Sequence, residues 1–584
     1  MADVDPVTLE VVGNYLVSAV REMGTTLRRT AYSTLIREEM DCSTALFDPA
    51  GQLVAQADHV PSHQGTLSLA AKSVLRTMAL DPEDVVILNH PYRGGTHHPD
   101  IMIFRPVVHD GALVALAGAL GHHLDVGGRA AGSISTDARD VFEEGLMIPP
   151  LKLYRRGAVA EEIFELIRSN VREPEKTLGD LRAQLAAVAV GERRVLELCA
   201  QHGPKRLAEI VAACLDNSER LMREDLRGYP DGRYSAEGFM DGDGISDEPV
   251  RIAVTVTLED GSVTVDFAGS SPQVKGPFNC ALSSVYAAAY CAVRYMANPL
   301  ILQNEGCYRP IRVVLPEGSI VKPRPPAPLS GRFHTLERIA NTIVMAFNQA
   351  RADQAVGSTH AHLSSFSVSG RHPGSGKLYA FFEILGGGWG GTATGDGLDA
   401  TFGLMANCLD VPIEALELEY PLRVERYELR PDSGGGGRHR GGLGLRREIR
   451  YLSGEGYFTN RSDGQKFPPP GVLGGAAGLP SRHRLVRADG TVVALPSKVT
   501  NLGIGAGDLV VMETAGGGGW GPPVARDPDL VLRDVLDGKV SSTAAREVYG
   551  VVVDEAGAGV DAAATAARRA QIGKLGRETA ERRE

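Results

Sequence analysis

Two neighbouring stretches of the chain carry the same pair of metal-capable side chains. HPYRGGTHHPD contains His97 and ends at Asp100, and GHHLDVGG contains His122 and Asp125, again three residues apart. Imidazole and carboxylate ligands without thiolate favour zinc, manganese or iron(II) over a soft-metal site. Ligands drawn from different loops can leave coordination positions open, as a catalytic metal requires. The repeated spacing therefore predicts a divalent metal site.

A β-hairpin between the two stretches explains how they meet. The apolar runs IMIFRPVV and ALVALAGAL flank Asp110-Gly111, and Asp-Gly between two such runs is a strong hairpin signal. A two-residue turn places Asp100 opposite Gly121 with His122 one step beyond, whereas a three-residue loop places Asp100 opposite His122. In both registers the two side chains meet at the open end of the hairpin, where facing Cβ atoms lie about 5 Å apart.

Several ligand-type side chains therefore share one end of the predicted hairpin. Any single histidine there could instead cap a loop or satisfy a hydrogen bond in the core. Six ligand-type residues at one place favour a metal site, and they are His97, His98, Asp100, His122, His123 and Asp125. Asp41, taken alone, is typical of a turn or an N-cap. His59 and His63 fit no ligand spacing and are candidates for supporting positions.

The surrounding elements follow from hydrophobic periodicity. The predicted order is a helix over 5–31, a hairpin over 41–56, a helix over 66–79, a strand over 84–89, a helical stretch over 158–228, a hairpin turning at Asp260-Gly261, helices near 281–297 and 334–350, and a final helix pair over 528–549 and 561–583. These elements predict a mixed α+β fold with several layers. We divide it into an N-terminal α/β metal-bearing region (1–155), a helical subdomain (156–230), a β-rich region (231–525) and a helical tail (526–584).

Composition and charge exclude several classes of protein. The net charge is −11 and the isoelectric point about 5.8, which argues against a nucleic-acid backbone as partner. Seven cysteines without a CxxC indicate neither a disulfide framework nor a zinc ribbon. No signal peptide or membrane-spanning run is visible, so the sequence predicts a cytoplasmic protein without a membrane partner.

Glycine is abundant, with 69 residues, and clusters in GGGWGG, SGGGG and AGGGGWG. These clusters are predicted to serve turns with positive φ or close backbone approach. GRHPGSGKL lacks phosphate-loop spacing, and no GxGxxG follows a strand into a helix. The chain also has no G-x-S-x-G elbow. The sequence therefore predicts neither a nucleotide site nor a serine nucleophile of that type.

Long segments of the chain resemble the hydantoinase B/oxoprolinase family. They are EEMDCSTALFDPAGQLVAQADHVPSHQGTL, NHPYRGGTHHPDIMIFRPV, GHHLDVGG, EEGLMIPPLKLY, NEGCYRPIRVVLPEGS, GGGGRHRGGLGLRREI and AGGGGWGPPVARDPDLVLRDVLDGKVS. They are spread along the chain, and the resemblance extends over essentially the whole length. GRFHTLERI, over 331–339, departs from the GN-x-E-T-like run of the family. This departure points to a different substrate.

The resemblance implies a ligand set and a division of labour. The metal ligands would be Asp41, His97, Asp100 and His122, while His123, Asp125 and Glu144 would assist catalysis. The metal would be zinc or manganese, with iron as the alternative. ATP would be bound by a separate A-type subunit, and the two kinds of subunit would form a heterotetramer or larger assembly. The A-type subunit would phosphorylate the carbonyl oxygen of a small-molecule substrate.

Three functions remain open at this level. The first is the metal-bearing subunit of an ATP-dependent cyclic-amide hydrolase acting on a hydantoin, oxoproline or a lactam. In it, a metal would activate water and Asp125 or His123 would remove a proton. The second is a subunit of an ATP-dependent ketone carboxylase, of the acetone or acetophenone type, in which only the attacking species differs. The third is a non-catalytic assembly subunit, in which Asp100→Ala or His122→Ala would leave turnover intact.

Overall fold

The computed structural model describes residues 4–554 and 559–581 and has the expected mixed α+β architecture. The helices are α1 (Pro6–Thr30), α2 (Thr34–Arg37), α3 (Thr66–Thr77), α4 (Glu161–Asn170), α5 (Pro174–His202), α6 (Pro204–Leu226), α7 (Leu282–Met296), α8 (Glu305–Tyr308), α9 (Arg332–Phe347), α10 (Ile413–Glu419), α11 (Pro528–Leu536), α12 (Ser542–Glu547) and α13 (Ala562–Glu581). Short 3-10 turns lie at Pro61–His63, Pro91–Arg93, Val141–Glu144, Ala352–Gln354 and Pro523–Ala525.

The strands form four sheets. They are β1 (Cys42–Phe47), β2 (Leu53–Asp58), β3 (Val85–Leu88), β4 (Asp100–His109), β5 (Ala112–His122), β6 (Leu151–Arg155), β7 (Ala158–Val159), β8 (Gly232–Met240), β9 (Val250–Glu259), β10 (Ser262–Asp266), β11 (Ile311–Val314), β12 (Ser364–Arg371), β13 (Leu378–Leu385), β14 (Leu422–Leu429), β15 (Leu445–Tyr451), β16 (Glu455–Arg461), β17 (Arg482–Val486), β18 (Val492–Leu495), β19 (Lys498–Gly505) and β20 (Leu509–Glu513). The orders are β2-β1-β5-β4-β3-β6-β7, β11-β10-β9-β8, β13-β12-β16-β19 and β14-β15-β20-β17-β18.

The predicted N-terminal elements are confirmed, and their local causes are visible. Helix α1 begins where the Asp5 side chain accepts a hydrogen bond from the Thr8 N–H, with proline at its first position. Strands β1 and β2 pair as an antiparallel hairpin, and β9 and β10 turn at Asp260-Gly261 as predicted. The helical stretch after β7 consists of α4, α5 and α6.

The predicted helix over 528–549 is wrong in one respect, because the segment forms two helices. Helix α11 ends at Leu536, and Gly538 has a φ of +70°, a left-handed conformation that stops a helix. The Ser541 side chain then accepts from the Ala544 N–H and begins α12. The last helix, α13, matches the prediction within the described residues, and residues 582 and 583 lie outside them.

The seven-stranded sheet is buried on both faces, and the two faces have different partners. Along β4, Ile101 and Ile103 pack into a core with α1, α5 and α6, whereas Met102 and Phe104 pack into a second core with α3, α7 and α9. This alternation is the two-residue period of a strand. Residues at even positions of β4 therefore face α7 and α9.

The second of these cores joins distant parts of the chain. It contains Phe104 of β4 together with Phe278 and with Phe347 of α9, so the predicted regions 1–155 and 231–525 contribute to one apolar interior. Helix α9 lies deep within it, since nearly all of its residues are buried. The four-region division itself stays a prediction.

The glycine clusters bring extended backbone segments into direct contact. A Cβ atom on Gly388 would lie 1.9 Å from the Gly442 carbonyl oxygen, and one on Gly517 would lie 2.0 Å from the Trp389 oxygen. The Gly517 N–H donates to the Gly442 oxygen at 2.9 Å. Neither Gly388 nor Gly517 has a positive φ. Close approach is therefore the use of glycine at these two positions, whereas Gly521, the last residue of AGGGGWG, has a φ of +68°, so the structure shows both predicted uses.

All seven cysteines are buried, and none of them forms a disulfide bond. Among residues 4–554 and 559–581, no helix combines the length and the apolar character needed to cross a membrane.

Candidate metal centre

Three adjacent strands align the candidate ligands. Asp100, the first residue of β4, lies directly opposite His122, the last residue of β5. On the other side of β5, the His122 N–H donates to the carbonyl oxygen of Asp41, which precedes β1, at 3.0 Å. Asp41, His122 and Asp100 therefore stand in a row across the end of the sheet.

The register that brings them together combines both predicted alternatives. The turn has two residues, because His109 pairs with Ala112, but a β-bulge then skips Val114. That extra residue shifts the pairing by one position, so Asp100 meets His122 as it would after a three-residue loop. The bulge is thus the local feature that places the two ligands face to face.

His97, which lies in the loop before β4, brings a third ligand atom to those of Asp100 and His122. The His122 Nδ1 atom lies 3.0 Å from Asp100 Oδ1, His97 Nε2 lies 3.2 Å from the same oxygen, and the two imidazole nitrogens are 3.3 Å apart. All three side chains are buried. Among the residues that the structure describes, this is the one group of three or more His, Cys, Asp or Glu whose ligand atoms lie close enough together to hold a metal.

Asp41 stands at the side of this group. Its Oδ2 lies 3.8 Å from His122 Nδ1, and neither of its oxygens has a hydrogen-bond partner although the side chain is buried. Burial raises the pKa of Asp41 to about 6. An unsatisfied carboxylate in the interior is costly unless a cation or a donor compensates it. We call Asp41, His97, Asp100 and His122 the metal cluster.

The donor set fits a divalent ion. Ligand atoms around a tetrahedral zinc with bonds of about 2.0–2.1 Å lie about 3.4 Å apart, and the three observed separations are 3.0–3.3 Å. The orphaned oxygens of Asp41 provide a fourth donor. Burial lowers the pKa of His97 to about 4, so its imidazole is neutral, as a ligand must be.

Neighbouring groups fix the orientation of these ligands. The second oxygen of Asp100 accepts hydrogen bonds from the Thr96 hydroxyl and from the Arg332 guanidinium. Burial raises the pKa of Asp100, but His97 and Arg332 hold it well below its ordinary value, so the group is a carboxylate. The Nδ1 of His97 lies 3.1 Å from the Ser330 carbonyl oxygen. An Nδ1–H donated to that oxygen leaves Nε2 free for a metal.

Glu144 acts on the cluster through the loop that carries Ser330. Its carboxylate accepts from the Leu329 N–H at 2.8 Å and from the Ser330 N–H at 2.7 Å. This loop is the one that presents the Ser330 carbonyl to His97. Glu144 also lies 3.6 Å from His98 Nδ1, so His98 faces Glu144 and is not part of the ligand group.

His123 and Asp125 are not brought into the cluster. His123 follows His122 in the chain and points to the other face of the sheet, where its Nε2 lies 3.0 Å from Gln184 Oε1 on α5. Asp125 accepts hydrogen bonds from the N–H groups of Gly127 and Gly132 and forms an ion pair with Arg172 at 2.8 Å. Both positions hold the loops after β5 in place.

A small closed cavity of about 10 Å³ adjoins the cluster, which is room for about one water molecule. Asp41 and His122 line one part of it, and Phe382 and Arg461 line another. The Phe382 ring stacks on His122 with centroids 5.9 Å apart. A substrate of several heavy atoms therefore fits only when this wall moves.

Some residues of the site carry no signal in the sequence patterns. Arg332, Ser330 and Arg461 come from parts of the chain more than 200 residues away from the histidine loops. Arg332 does lie within the segment that departs from the family pattern. His63, a supporting candidate, lies beside the cluster with its Nε2 3.8 Å from Asp41 Oδ1.

Comparison with known proteins gives a consistent set of relatives. A sequence profile of the hydantoinase B/oxoprolinase family matches residues 5–523. The B-type subunit of a putative D-/L-hydantoinase from Pseudomonas sp. strain NS671 is 34% identical over 572 residues, covering 94% of this chain and 96% of the relative. The beta chain of the caprolactamase of Pseudomonas jessenii is 33% identical over 588 residues, covering 98% and 100%.

Two solved structures share the fold. The ATP-dependent caprolactamase of Pseudomonas jessenii matches with a TM-score of 0.91 at 32% identity, covering 97% of this chain and 100% of that one. A nucleotide-free acetone carboxylase matches with a TM-score of 0.90, covering 98% and 83%, but at 21% identity that likeness concerns the fold alone.

Proposed function

The chain belongs to the hydantoinase B/oxoprolinase family, and we propose on that basis that it is the metal-bearing subunit of an ATP-dependent cyclic-amide hydrolase. Its substrate would be a hydantoin, oxoproline or another lactam. The observation that carries the proposal is the metal cluster, in which three ligand atoms lie within 3.3 Å of one another beside the unsatisfied carboxylate of Asp41.

A separate subunit would provide the ATP chemistry. The hydantoinase and caprolactamase relatives are each named as one subunit of a larger enzyme, and this chain has neither a phosphate loop nor a dinucleotide fingerprint. We infer an A-type, ATP-binding partner in a cytoplasmic heterotetramer or larger assembly. That partner would phosphorylate the carbonyl oxygen of the amide.

Phosphorylation makes the ring carbon reactive. Amide resonance makes a lactam a poor electrophile, and placing a phosphoryl group on its oxygen removes that resonance and creates a leaving group. The task left for this chain is to hold the activated carbon against a nucleophilic oxygen and to exclude bulk water. A buried, nearly closed cavity beside the cluster supports that role.

The residues of this chain have distinct parts in the proposal. A divalent metal held by Asp41, His97, Asp100 and His122 would supply Lewis acidity and would lower the pKa of water. Thr96 and Arg332 orient Asp100, and Ser330, itself held by Glu144, orients His97. These contacts keep the ligand atoms preorganised.

His63 is placed to accept a hydrogen bond near the cluster. Its Nε2 has no hydrogen-bond partner in the structure, and its Nδ1 lies 2.9 Å from the Ser43 hydroxyl. Burial lowers the pKa of His63 to about 3, so the ring is neutral and too weak a base to hold a proton at neutral pH, and its part would be to orient a water molecule or the substrate. The positions of His123 and Asp125 favour support of the loops over proton transfer, and their catalytic role stays a prediction.

The ketone carboxylase is a second candidate, favoured by one observation. The fold matches that of acetone carboxylase over 98% of this chain. In that reaction the same residues would orient an activated ketone toward carbon dioxide or bicarbonate, and the attacking carbon would come from the substrate.

Reconstitution separates the candidates. The chain should be co-produced with an A-type subunit and incubated with ATP and either 5-oxoproline, hydantoin or caprolactam, or acetone with ¹⁴C-bicarbonate. We expect ATP-dependent ring opening and no fixed label. Fixed label without ring opening would replace the hydrolase with the carboxylase. Unchanged turnover in His122→Ala would instead support the assembly role.

A further inference from the structure

One buried arginine differs from all the others in the described part of the chain. Six arginines are buried there, and five have a carboxylate within 4.0 Å: Arg332 with Asp100, Arg338 with Asp463, Arg440 with Asp399, Arg447 with Glu383 and Arg526 with Asp396. Arg461, the last residue of β16, is 0% exposed, but no carboxylate of the described residues lies within 4.0 Å of its guanidinium. Its charge is therefore uncompensated.

The neutral contacts of Arg461 leave part of its guanidinium unused. Its Nη1 donates to the Ile134 carbonyl oxygen at 2.6 Å, and its Nε donates to the Ser365 hydroxyl at 3.3 Å. Its Nη2 has no partner. Burial lowers the pKa of Arg461 to about 9, which still leaves the group cationic at neutral pH. A buried cation with an unused donor is costly in the free protein.

The unused donor belongs to a side chain that lines the cavity of the metal cluster. Arg461 and Ser365 line it together with Asp41 and His122. Because the Ser365 oxygen accepts from Arg461, its own O–H remains available to donate into the cavity. The guanidinium lies over the Phe382 ring at 4.9 Å, so Arg461 is part of the wall that must move before a ligand of several heavy atoms fits.

The charges around the cavity suit a dianion. Asp41 and Asp100 bring two negative charges to the cavity and the metal cluster, and Arg332 and Arg461 bring two positive charges, so a divalent ion would leave an excess of two positive charges. A phosphoryl group carries about −1.5 to −2 charges at neutral pH and has several strong acceptor oxygens. Arginine recognises such groups through its planar fork of N–H donors.

We propose that Arg461 and Ser365 form an oxyanion subsite that binds the phosphoryl group of the activated substrate beside the metal cluster. This inference rests on the proposed function, in which the partner subunit delivers a phosphorylated substrate. The subsite would hold the phosphoryl group while the ring carbon faces the cluster, and it would bind inorganic phosphate after the reaction.

Phosphate binding by the purified full-length chain tests the subsite. The chain, loaded with Mn²⁺, is dialysed against ³³P-labelled inorganic phosphate. We expect Arg461→Met to weaken phosphate binding about 100-fold and Arg461→Lys, which keeps the charge but loses the fork, about tenfold. Ser365→Ala, which leaves the charge unchanged, should weaken binding a few-fold.

Arg447→Lys is the matched control, because Arg447 is equally buried but pairs with Glu383 and does not line the cavity. It should bind phosphate as the wild type does. Elemental analysis of every variant shows whether the metal is retained. Wild-type phosphate binding by Arg461→Met with full metal content would overturn the proposal, and so would an equal loss of binding in Arg447→Lys.

Competition identifies the source of the oxyanion. Unlabelled phosphate should displace the label at much lower concentration than bicarbonate or acetate. Tighter binding of bicarbonate would overturn the phosphoryl assignment. These measurements use the isolated chain, so phosphate binding can be present even if the reconstituted complex fails to open a lactam, and the two proposals fail separately.

Discussion

In the described part of the chain, two clusters of buried histidines differ in their carboxylates. In the metal cluster, Asp100 lies 3.0 Å from His122 and 3.2 Å from His97. The second cluster, which we call the inner histidine cluster, consists of His334, His360, His362 and His483, all buried. The centroids of the His360 and His362 rings lie 5.4 Å apart. Burial lowers the pKa of His362 well below its ordinary value, and the other three histidines lower it further.

Asp463 is a carboxylate that acts on the inner histidine cluster, and one of its oxygens is already occupied. Asp463 accepts from the Asp241 N–H at 2.7 Å and lies 3.1 Å from Lys498. In the metal cluster, by contrast, the Asp41 carboxylate accepts no hydrogen bond. Buried imidazoles alone therefore do not make a candidate metal site. The metal cluster differs from the inner histidine cluster because the strand register places carboxylates beside its imidazoles.

The largest effect is expected from breaking the metal cluster at Asp100. Asp100→Asn keeps an oxygen for Arg332 but loses the charge that a divalent ion requires. We expect the purified variant to contain little metal and the reconstituted complex to lose about 10³-fold or more in turnover, as is typical when a catalytic metal is absent. Elemental analysis and turnover are the measurements.

His360→Gln provides the contrast within the same experiment, because His360 belongs to the inner histidine cluster. It should retain a full complement of metal. Equal metal loss in both variants would abolish the distinction between the two clusters.

A smaller effect is expected at Asp41, the edge of the metal cluster. Asp41→Asn should lower metal affinity about 10–100-fold, a range known for groups that complete or support a metal site. The same change removes a buried carboxylate whose pKa is raised by burial, so the metal-free variant should unfold at higher temperature than the metal-free wild type. Metal titration and thermal unfolding measure the two effects. A metal-free variant of lower stability would show that Asp41 is compensated by some other group.

The metal cluster can be predicted in part because its ligands are local. The hairpin between His97 and His122 is encoded by two apolar runs and one Asp-Gly turn, so spacing alone brings Asp100 and His122 together. The bulge at Val114, which sets the register, has no residue signal of its own. Asp41 is identified only through the family resemblance, because the residue it pairs with, His122, lies far along the chain.

The remaining groups at the site are not predictable from pattern. Ser330 and Arg332 reach the cluster because α9 packs into the core below the sheet, and that packing depends on side-chain shape throughout the interior. Arg461 arrives from a different sheet. The same holds for the glycine clusters: composition predicts close approach, but which segments meet is decided by the tertiary fold.

A moderate effect is expected at Glu144, which holds the loop that positions His97. Glu144→Ala removes the acceptor for the Leu329 and Ser330 N–H groups, so the Ser330 carbonyl loses its fixed position. We expect metal affinity to fall about tenfold, at the lower end of the range for an outer contact. Glu144→Gln retains an acceptor oxygen and should stay close to the wild type. Equal losses in both variants would mean that the charge of Glu144 matters and not its hydrogen bonds.

The smallest effect is expected in the inner histidine cluster, and it depends on pH. Burial lowers the pKa of His360 to about 4, below the ordinary value of 6.5. Between these values the unfolded chain binds a proton that the folded chain does not, so stability falls as the pH drops from about 6.5 toward about 4. Each such histidine contributes up to about 1.4 kcal/mol per pH unit. His360→Gln should therefore lose less stability than the wild type between pH 7 and pH 5 in urea unfolding, while metal content at pH 7 stays unchanged. Parallel losses in the two proteins would mean that His360 is not held neutral in the folded state.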